Sequence, residues 1–185
     1  MFDNIQFREQ IIRPALEGLY LFQKPNPVDL YTKDSEELLV AVMATESLGG
    51  KYLTQKKGGP ARGIYQMEER TYENLWKDYL FPSNEAKIRV LISSVFKAIN
   101  YLPNCSSDGG LTTVSSCPDA SRMVWDLRYA TIMARLFFVQ FSDVIPRYDD
   151  LEGIWEIYKK HWNTEKGKTT RDEFFVNYRS FVHGG

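Results

Sequence analysis

The chain has 185 residues, a length typical of one globular domain. Hydrophobic residues make up 43% of it and aromatic residues 14%, which is enough for a packed core. The 23 basic residues nearly balance the 24 acidic ones, which excludes a bulk attraction to nucleic acid or to an anionic membrane. The longest apolar run, residues 38–44, is too short to cross a membrane. We therefore predict one domain that binds no nucleic acid and has no membrane span.

The first half of the chain contains two predicted helices. Apolar residues recur at helical spacing over residues 4–21, where Pro14 is expected to divide the segment. A second helix is predicted to begin at a cap formed by Asp34 or Ser35 and to end near Leu48. Because this helix contains the longest apolar run, we expect it to be buried on all sides.

The remaining chain is also predicted to be mainly helical. Residues 50–66 are predicted to form a loop or a small β-hairpin with its Lys- and Gly-rich stretch at the tip. A polar loop is expected at residues 103–118. Further helices are predicted, in chain order, at residues 68–80, 84–101, 119–141, 149–162 and 170–182. The predicted fold class is therefore mainly α, with a small hairpin as its β element.

The two cysteines, Cys105 and Cys117, lie in the polar loop. A disulfide between them would close a small loop, and two free thiols are the alternative interpretation. Together with the distant His161 and His183, they make a poor zinc site. We therefore expect no metal and no other cofactor.

Glu46 is the strongest sign of chemistry in the sequence, because it ends an otherwise apolar helix. Burial makes a carboxyl group costly to ionise, so the pKa of Glu46 should be raised. A carboxylic acid that is still protonated near neutral pH can donate a proton to a leaving group. The alternative interpretation is an exposed glutamate at a helix end, which is the usual environment of this residue type.

Two segments near Glu46 resemble the lysozyme-like lytic transglycosylases of the soluble-lytic-transglycosylase and goose-type-lysozyme group, with phage members the most similar. In that family a helix ends in Glu-Ser, and a loop leads to Gly-Ala-x-Gly-Leu-Met-Gln, with Thr five residues later. Glu46-Ser47 and residues 60–67 follow this pattern, although Pro60 replaces the first Gly and Glu69 replaces a frequent Pro. The matching positions of the second segment are Ala61, Gly63 and Gln66, and Thr71 follows Gln66 at the family spacing.

Two later segments add weaker similarity. Residues 129–136 resemble the family helix that packs behind the catalytic one, and residues 158–167 are similar to the Tyr-Asn-x-Gly region that lines the sugar cleft, with a longer spacing. Residues 1–30 have no counterpart in the family. The resemblance therefore implies a single lysozyme-like domain over residues 1–185, with residues 1–30 as an N-terminal extension of unknown role.

The chemistry that this resemblance implies is cleavage of the β-1,4 bond between N-acetylmuramic acid and N-acetylglucosamine in peptidoglycan. Glu46 would protonate the glycosidic oxygen. In a transglycosylase it would then accept a proton from the muramic 6-hydroxyl, whereas in a lysozyme water attacks with help from a second carboxylate. No motif identifies that carboxylate, and Asp126, Asp149 and Asp150 are the candidates by position.

The resemblance also implies substrate-binding residues around the catalytic Glu46, namely Ser47, Gly63, Tyr65, Gln66, Tyr158 and Asn163. Gln66 would hydrogen-bond an N-acetyl group or the acid itself, and the two tyrosines would form walls for a sugar. Gly63 would let the backbone approach closely. In the alternative interpretation the tyrosines belong to the core, and Gln66 and Asn163 make structural hydrogen bonds.

The predicted function is a phage-encoded glycosidase that acts on peptidoglycan glycan strands, as a virion component or a lysis protein. The alternative is a non-catalytic tail, baseplate or neck protein with the same fold and with other virion proteins as partners. A chitin- or chitosan-cleaving enzyme would share the acid chemistry. The N-terminal residues lack the layout of a secretory signal, so we expect delivery to the periplasm or cell wall by the particle or through a holin pore.

Overall fold

The computed structural model describes residues 3–22, 27–55, 58–82, 86–100, 117–165 and 167–184. Within them the chain is mainly helical, as predicted, with two small antiparallel sheets. The first helix, α1, covers residues 4–16. The other helices are α2 (Lys33–Glu46), α3 (residues 69–80), α4 (Ala86–Ala98), α5 (Arg122–Trp125), α6 (Leu127–Val139), α7 (residues 151–163) and α8 (Arg171–His183). The strands are β1 (Tyr20–Phe22), β2 (Pro27–Asp29), β3 (Ala61–Arg62) and β4 (Met67–Glu68).

Helix α1 is shorter than predicted and is continuous through Pro14. Its middle turn, Arg8–Ile12, is π-helical, so the Arg13 amide donates to the carbonyl of Arg8. This wider turn lets the helix continue past a proline, which has no amide hydrogen to donate. The helix ends at Leu16 because the chain then turns into β1, whose backbone pairs with β2.

Helix α2 has the burial that its sequence predicts. Every residue from Ser35 to Thr45 is buried, and the helix packs against α1, α6 and α8. The predicted cap is wrong, because the N-cap is Thr32. Its hydroxyl accepts from the Ser35 amide at 3.0 Å, and the Ser35 hydroxyl accepts from the Thr32 amide at 2.8 Å, which completes a capping box.

The N-terminal segment contributes directly to the core, since Phe7, Ile12 and Leu16 of α1 are fully buried. Charged groups also attach this helix to the first turn of α2. The Arg8 guanidinium donates to both carboxylate oxygens of Glu37, at 2.8 and 2.7 Å. Such a two-pronged arrangement is strong and directional, so it fixes how α1 lies on α2.

The single helix predicted over residues 119–141 is wrong, because the structure divides it into α5 and α6 at Asp126. The Asp126 backbone is extended, and its carboxylate accepts from the Tyr129 amide at 3.0 Å, which caps α6. Arg122 of α5 pairs with the same carboxylate at 2.8 Å. An aspartate that caps a helix satisfies an otherwise unpartnered amide. This local bond favours the start of a new helix at Asp126 over the continuation of α5.

A small β structure is present near the predicted hairpin, but it extends beyond residues 50–66. Thr54 forms an antiparallel bridge with Arg62, which joins the two arms of the loop. Strand β3 then pairs with β4, so the tight turn lies at residues 63–66. Backbone pairing on both sides of Arg62, with Thr54 and with Met67, fixes the position of this segment.

The other helical predictions are confirmed to within a few residues. Those at residues 68–80, 149–162 and 170–182 correspond to α3, α7 and α8, and that at 84–101 corresponds to α4. Residues 103–116 of the predicted polar loop, including Cys105, are outside the described residues. Both interpretations of the two cysteines, a disulfide or two free thiols, therefore stay predictions. No helix in the described part of the chain has both the length and the hydropathy that a membrane span requires.

Truncating a side chain at the centre of α2 should destabilise the protein more than truncating an exposed apolar side chain on another helix. Leu39 is fully buried, so Leu39→Ala should lower the free energy of unfolding by about 2–5 kcal/mol through lost contacts and a residual cavity. Val176 is 60% exposed on α8, and Val176→Ala should change stability by less than about 0.5 kcal/mol. Denaturant unfolding measures both, and equal losses would contradict the central role of α2.

Candidate active site

Glu46 is the last residue of α2 and borders a cavity of about 700 Å³. The hairpin β3–β4, the loop before it and the end of α7 form the other walls. This volume is in the range of small-molecule binding sites. Of the predicted site residues, Glu46, Gln66 and Asn163 line the cavity.

The Glu46 carboxyl group has the environment of a proton donor. Burial raises its pKa from an ordinary 4.5 to about 7, while a hydrogen bond from Tyr158 acts in the opposite direction. The Tyr158 hydroxyl donates to Oε1 of Glu46 at 2.7 Å. With a pKa near neutrality, both the acid and the carboxylate are populated at physiological pH, which suits a group that must give and then take a proton.

Tyr158 is fully buried behind the cavity wall. It stands in the π-helical turn Tyr158–Asn163, and its ring packs against Phe174 of α8 at a centroid distance of 5.1 Å. Burial raises the pKa of its hydroxyl, and the nearby charge of Glu46 raises it further. The tyrosine therefore remains a neutral donor that fixes one oxygen of Glu46.

Two predicted site residues, Ser47 and Tyr65, have fully buried side chains with partners inside the protein. The Ser47 hydroxyl donates to the Met43 carbonyl at 3.0 Å and accepts from the Gly50 amide at 3.0 Å, which shapes the turn after α2. The Tyr65 hydroxyl is 3.2 Å from Oγ1 of Thr131 on α6. Both residues hold elements of the site in place from behind.

Gly63 and Gln66 occupy the two ends of the tight turn between β3 and β4. Gly63 has φ +71°, and an added Cβ would lie 2.3 Å from the Met123 carbonyl oxygen, so the residue sits directly against α5. Gln66 also has a positive φ, of 50°, and its side-chain amide donates to the Gly63 carbonyl at 2.7 Å. This bond closes the turn from inside the cavity.

Asn163 ends α7 and makes hydrogen bonds that no motif predicted. Its side-chain oxygen accepts from Nζ of Lys159 at 2.7 Å, and its nitrogen donates to Oγ1 of Thr169 at 3.2 Å. Sequence reasoning missed Lys159 and Thr169. The i, i+4 spacing of Lys159 and Asn163 on one helix was the available signal.

Aromatic residues form the wall near the end of α7. Trp162 lines the cavity and stacks on Phe138 of α6 at a centroid distance of 5.4 Å. His161 also lines it, stacks on Phe141 at 3.9 Å and pairs with Asp143 at 2.8 Å. This wall offers flat apolar surface with polar edges, a suitable contact for a sugar ring.

The three candidates for a second carboxylate have structural roles in this fold. Asp126 caps α6, and Asp150 caps α7 by accepting from the Gly153 amide at 3.0 Å. Asp149 pairs with Arg147 at 2.9 Å on the surface. Among the described residues, Glu68 of β4, which sequence reasoning did not select, is the carboxylate that lines the cavity together with Glu46.

Within the described residues, no three His, Cys, Asp or Glu side chains are arranged to hold a metal ion. Comparison with protein-family models, curated proteins and solved structures gave no match to this chain. The cavity and the motif around Glu46 are therefore the features of this protein that bear on its function.

The raised pKa of Glu46 predicts a stability that depends on pH. The folded protein keeps this proton at pH values where the unfolded chain has lost it, so wild-type stability falls as the pH rises from about 4.5 to about 7. Glu46→Gln removes the ionisation but keeps an acceptor for Tyr158. Relative to wild type, the variant should gain roughly 1–3 kcal/mol between pH 4 and pH 8.

Denaturant unfolding across that pH range measures this gain. Glu156→Gln, which changes an exposed carboxylate on α7, is the control for the loss of one negative charge. A stability difference between Glu46→Gln and wild type that stays constant with pH would contradict the buried environment of Glu46.

Because Gly63 lies so close to α5, we expect the addition of a single methyl group at this residue to lower the stability of the protein strongly. Gly63→Ala should lose roughly 2–4 kcal/mol of stability, because alanine disfavours the positive φ and its Cβ would collide with the Met123 carbonyl. Gly58 has φ +75° with no atom within 4 Å of an added Cβ, so Gly58→Ala should lose only about 1 kcal/mol. Equal losses in thermal unfolding would rule out the collision.

Proposed function

We propose that this protein is a peptidoglycan-cleaving glycosidase, a lytic transglycosylase or a muramidase with a lysozyme-like domain, and that Glu46 is its general acid. The observation that carries the proposal is a carboxyl group with a pKa of about 7 at the edge of a ligand-sized cavity. The motif around Glu46 and Gln66 supplies the substrate class.

In the proposed reaction Glu46 protonates the oxygen of the glycosidic bond as that bond breaks. The positive charge that develops on the muramic ring is then neutralised in one of two ways. In the transglycosylase route the Glu46 carboxylate takes the proton of the 6-hydroxyl while the 6-oxygen forms a bond to C1 of the same sugar, which closes an anhydro ring. In the hydrolase route a water molecule attacks with help from a second carboxylate.

The transglycosylase route needs only one acid, and the buried environment of Glu46 suits both of its steps. A pKa near neutrality leaves the acid able to donate and its conjugate base able to accept. The hydrolase route would assign Glu68 as the second carboxylate, since it is the other acidic residue among the described residues that line the cavity. The products of the reaction distinguish the two routes.

The test of the proposal is mass spectrometry of the soluble products released from purified peptidoglycan. We expect muropeptides from the wild-type protein, and a loss of at least about 100-fold in Glu46→Gln, because removal of the general acid withdraws its catalytic contribution. The exposed Glu156→Gln is the control and should cleave like wild type.

The chemical form of the products completes the test. Anhydromuramic ends would establish a transglycosylase, whereas reducing muramic ends that are lost in Glu68→Gln would establish a muramidase. Release of fragments from chitin but not from peptidoglycan would identify a related polymer as the substrate. Well-folded wild-type protein that releases no fragments would overturn the proposal and favour a structural virion protein with this fold.

A further inference from the structure

One wall of the cavity contains a histidine whose ring is held from two sides. His161 stands in the last turn of α7 and lines the cavity that Glu46 borders. One face of its imidazole stacks on Phe141, with 3.9 Å between the ring centroids, and its Nε2 lies 2.8 Å from Oδ2 of Asp143. Only 10% of the side chain is exposed. A contact on one face and another on one edge restrict rotation of the ring, so its remaining edge has a defined direction.

Asp143 decides which nitrogen of this imidazole carries the hydrogen. Nζ of Lys160 donates to Oδ1 of Asp143 at 2.7 Å, while Oδ2 faces His161. The hydrogen bonds from Lys160 and His161 hold the pKa of Asp143 below its usual range, so this group is a carboxylate. A carboxylate can only accept, and Nε2 of His161 must therefore be the donor.

The other ring nitrogen, Nδ1, is left without a partner in the described part of the chain. It is open to solvent, because the buried side-chain nitrogen or oxygen that lacks a partner among the described residues is Nε1 of Trp76. In a neutral imidazole with its hydrogen on Nε2, Nδ1 has a lone pair that accepts hydrogen bonds. His161 therefore offers an acceptor in a fixed position on the cavity wall.

Asn163, the neighbouring polar residue of this wall, differs from His161 in this respect. Its side-chain oxygen accepts from Nζ of Lys159 at 2.7 Å, and its nitrogen donates to Oγ1 of Thr169 at 3.2 Å. Both polar atoms of Asn163 thus have partners within the protein. Of these two side chains at the end of α7, His161 is the one with a polar atom left for a ligand.

We propose that His161 is a ligand-binding residue of the cavity and that its Nδ1 accepts a hydrogen bond from a saccharide. The saccharide class of the ligand rests on the proposed function. A glycan of N-acetylated sugars offers two kinds of donor, the hydroxyl group and the acetamido N–H, and Nδ1 can accept from either. Asp143 and Phe141 are positioning residues that hold the imidazole, and Trp162 adds flat surface on the same wall.

The first part of the test examines the imidazole in the protein without ligand. Long-range ¹H–¹⁵N NMR of histidine-labelled protein distinguishes the two neutral tautomers, and His161→Phe assigns the signals. We expect the form with hydrogen on Nε2 for His161, and a mixture of tautomers in Asp143→Ala. The exposed His183 at the end of α8 is the internal reference and should not respond to Asp143→Ala. A wild-type His161 with its hydrogen on Nδ1 would overturn the inference.

The second part measures the binding of chitotetraose, four linked N-acetylglucosamine units, by isothermal titration calorimetry. Glu46→Gln is the parent protein, so that the saccharide stays intact. The Nδ1 signal of His161 should shift on binding. Addition of His161→Phe should raise Kd about threefold to tenfold, because a ring remains on Phe141 but the acceptor is lost. His183→Phe in the same parent is the control and should leave Kd unchanged.

The source of the hydrogen bond is identified with cellotetraose, which has the hydroxyl groups but no acetamido groups. A shift of the Nδ1 signal with both saccharides would identify a hydroxyl donor, and a shift with chitotetraose alone would identify the acetamido N–H. Equal Kd values for chitotetraose in the parent and in His161→Phe would overturn the inference and leave the proposed function standing. Well-folded parent protein that binds neither chitotetraose nor peptidoglycan fragments would overturn both.

Discussion

Burial of α2 is the constraint on which the rest of the structure depends. A helix that is apolar on every side has no face to turn to water, so other elements must surround it. Helices α1, α6 and α8 provide this cover, which explains why residues 4–16 fold back into the core. The last residue of the helix, Glu46, is then fixed at the boundary between the core and the cavity.

The two ends of α2 show how the partner of a buried carboxylate decides its protonation. Burial alone would raise the pKa of Glu36 in the first turn, but hydrogen bonds from Arg13, Tyr31 and Arg8 lower it. Glu46 has a neutral hydroxyl as its partner, so burial dominates and the pKa rises to about 7. The same helix therefore holds a carboxylate that stabilises the fold and a carboxyl group suited to proton transfer.

The burial of α2 and the raised pKa of Glu46 were predictable from the sequence, because both follow from the local composition of one segment. The contact that tunes Glu46 was not, since Tyr158 lies 112 residues away along the chain and only tertiary packing brings them together. The break at Asp126 was missed because the apolar pattern continues across it. Its signal was an aspartate placed three residues before the Tyr129 amide that it caps.

Backbone strain is found at three residues that line the cavity, Leu48, Gln66 and Thr164, all of which have a positive φ. Gln66 on the hairpin and Thr164 at the end of α7 both have a positive φ, which costs each residue of the order of 1–3 kcal/mol. Local bonds hold both turns, from the Gln66 side chain to Gly63 and from Lys159 to the residues on each side of Thr164. Packed, hydrogen-bonded turns of this kind hold the cavity walls in a defined shape. Such preorganisation supports proton transfer, because the position of Glu46 relative to both walls is set before any ligand binds.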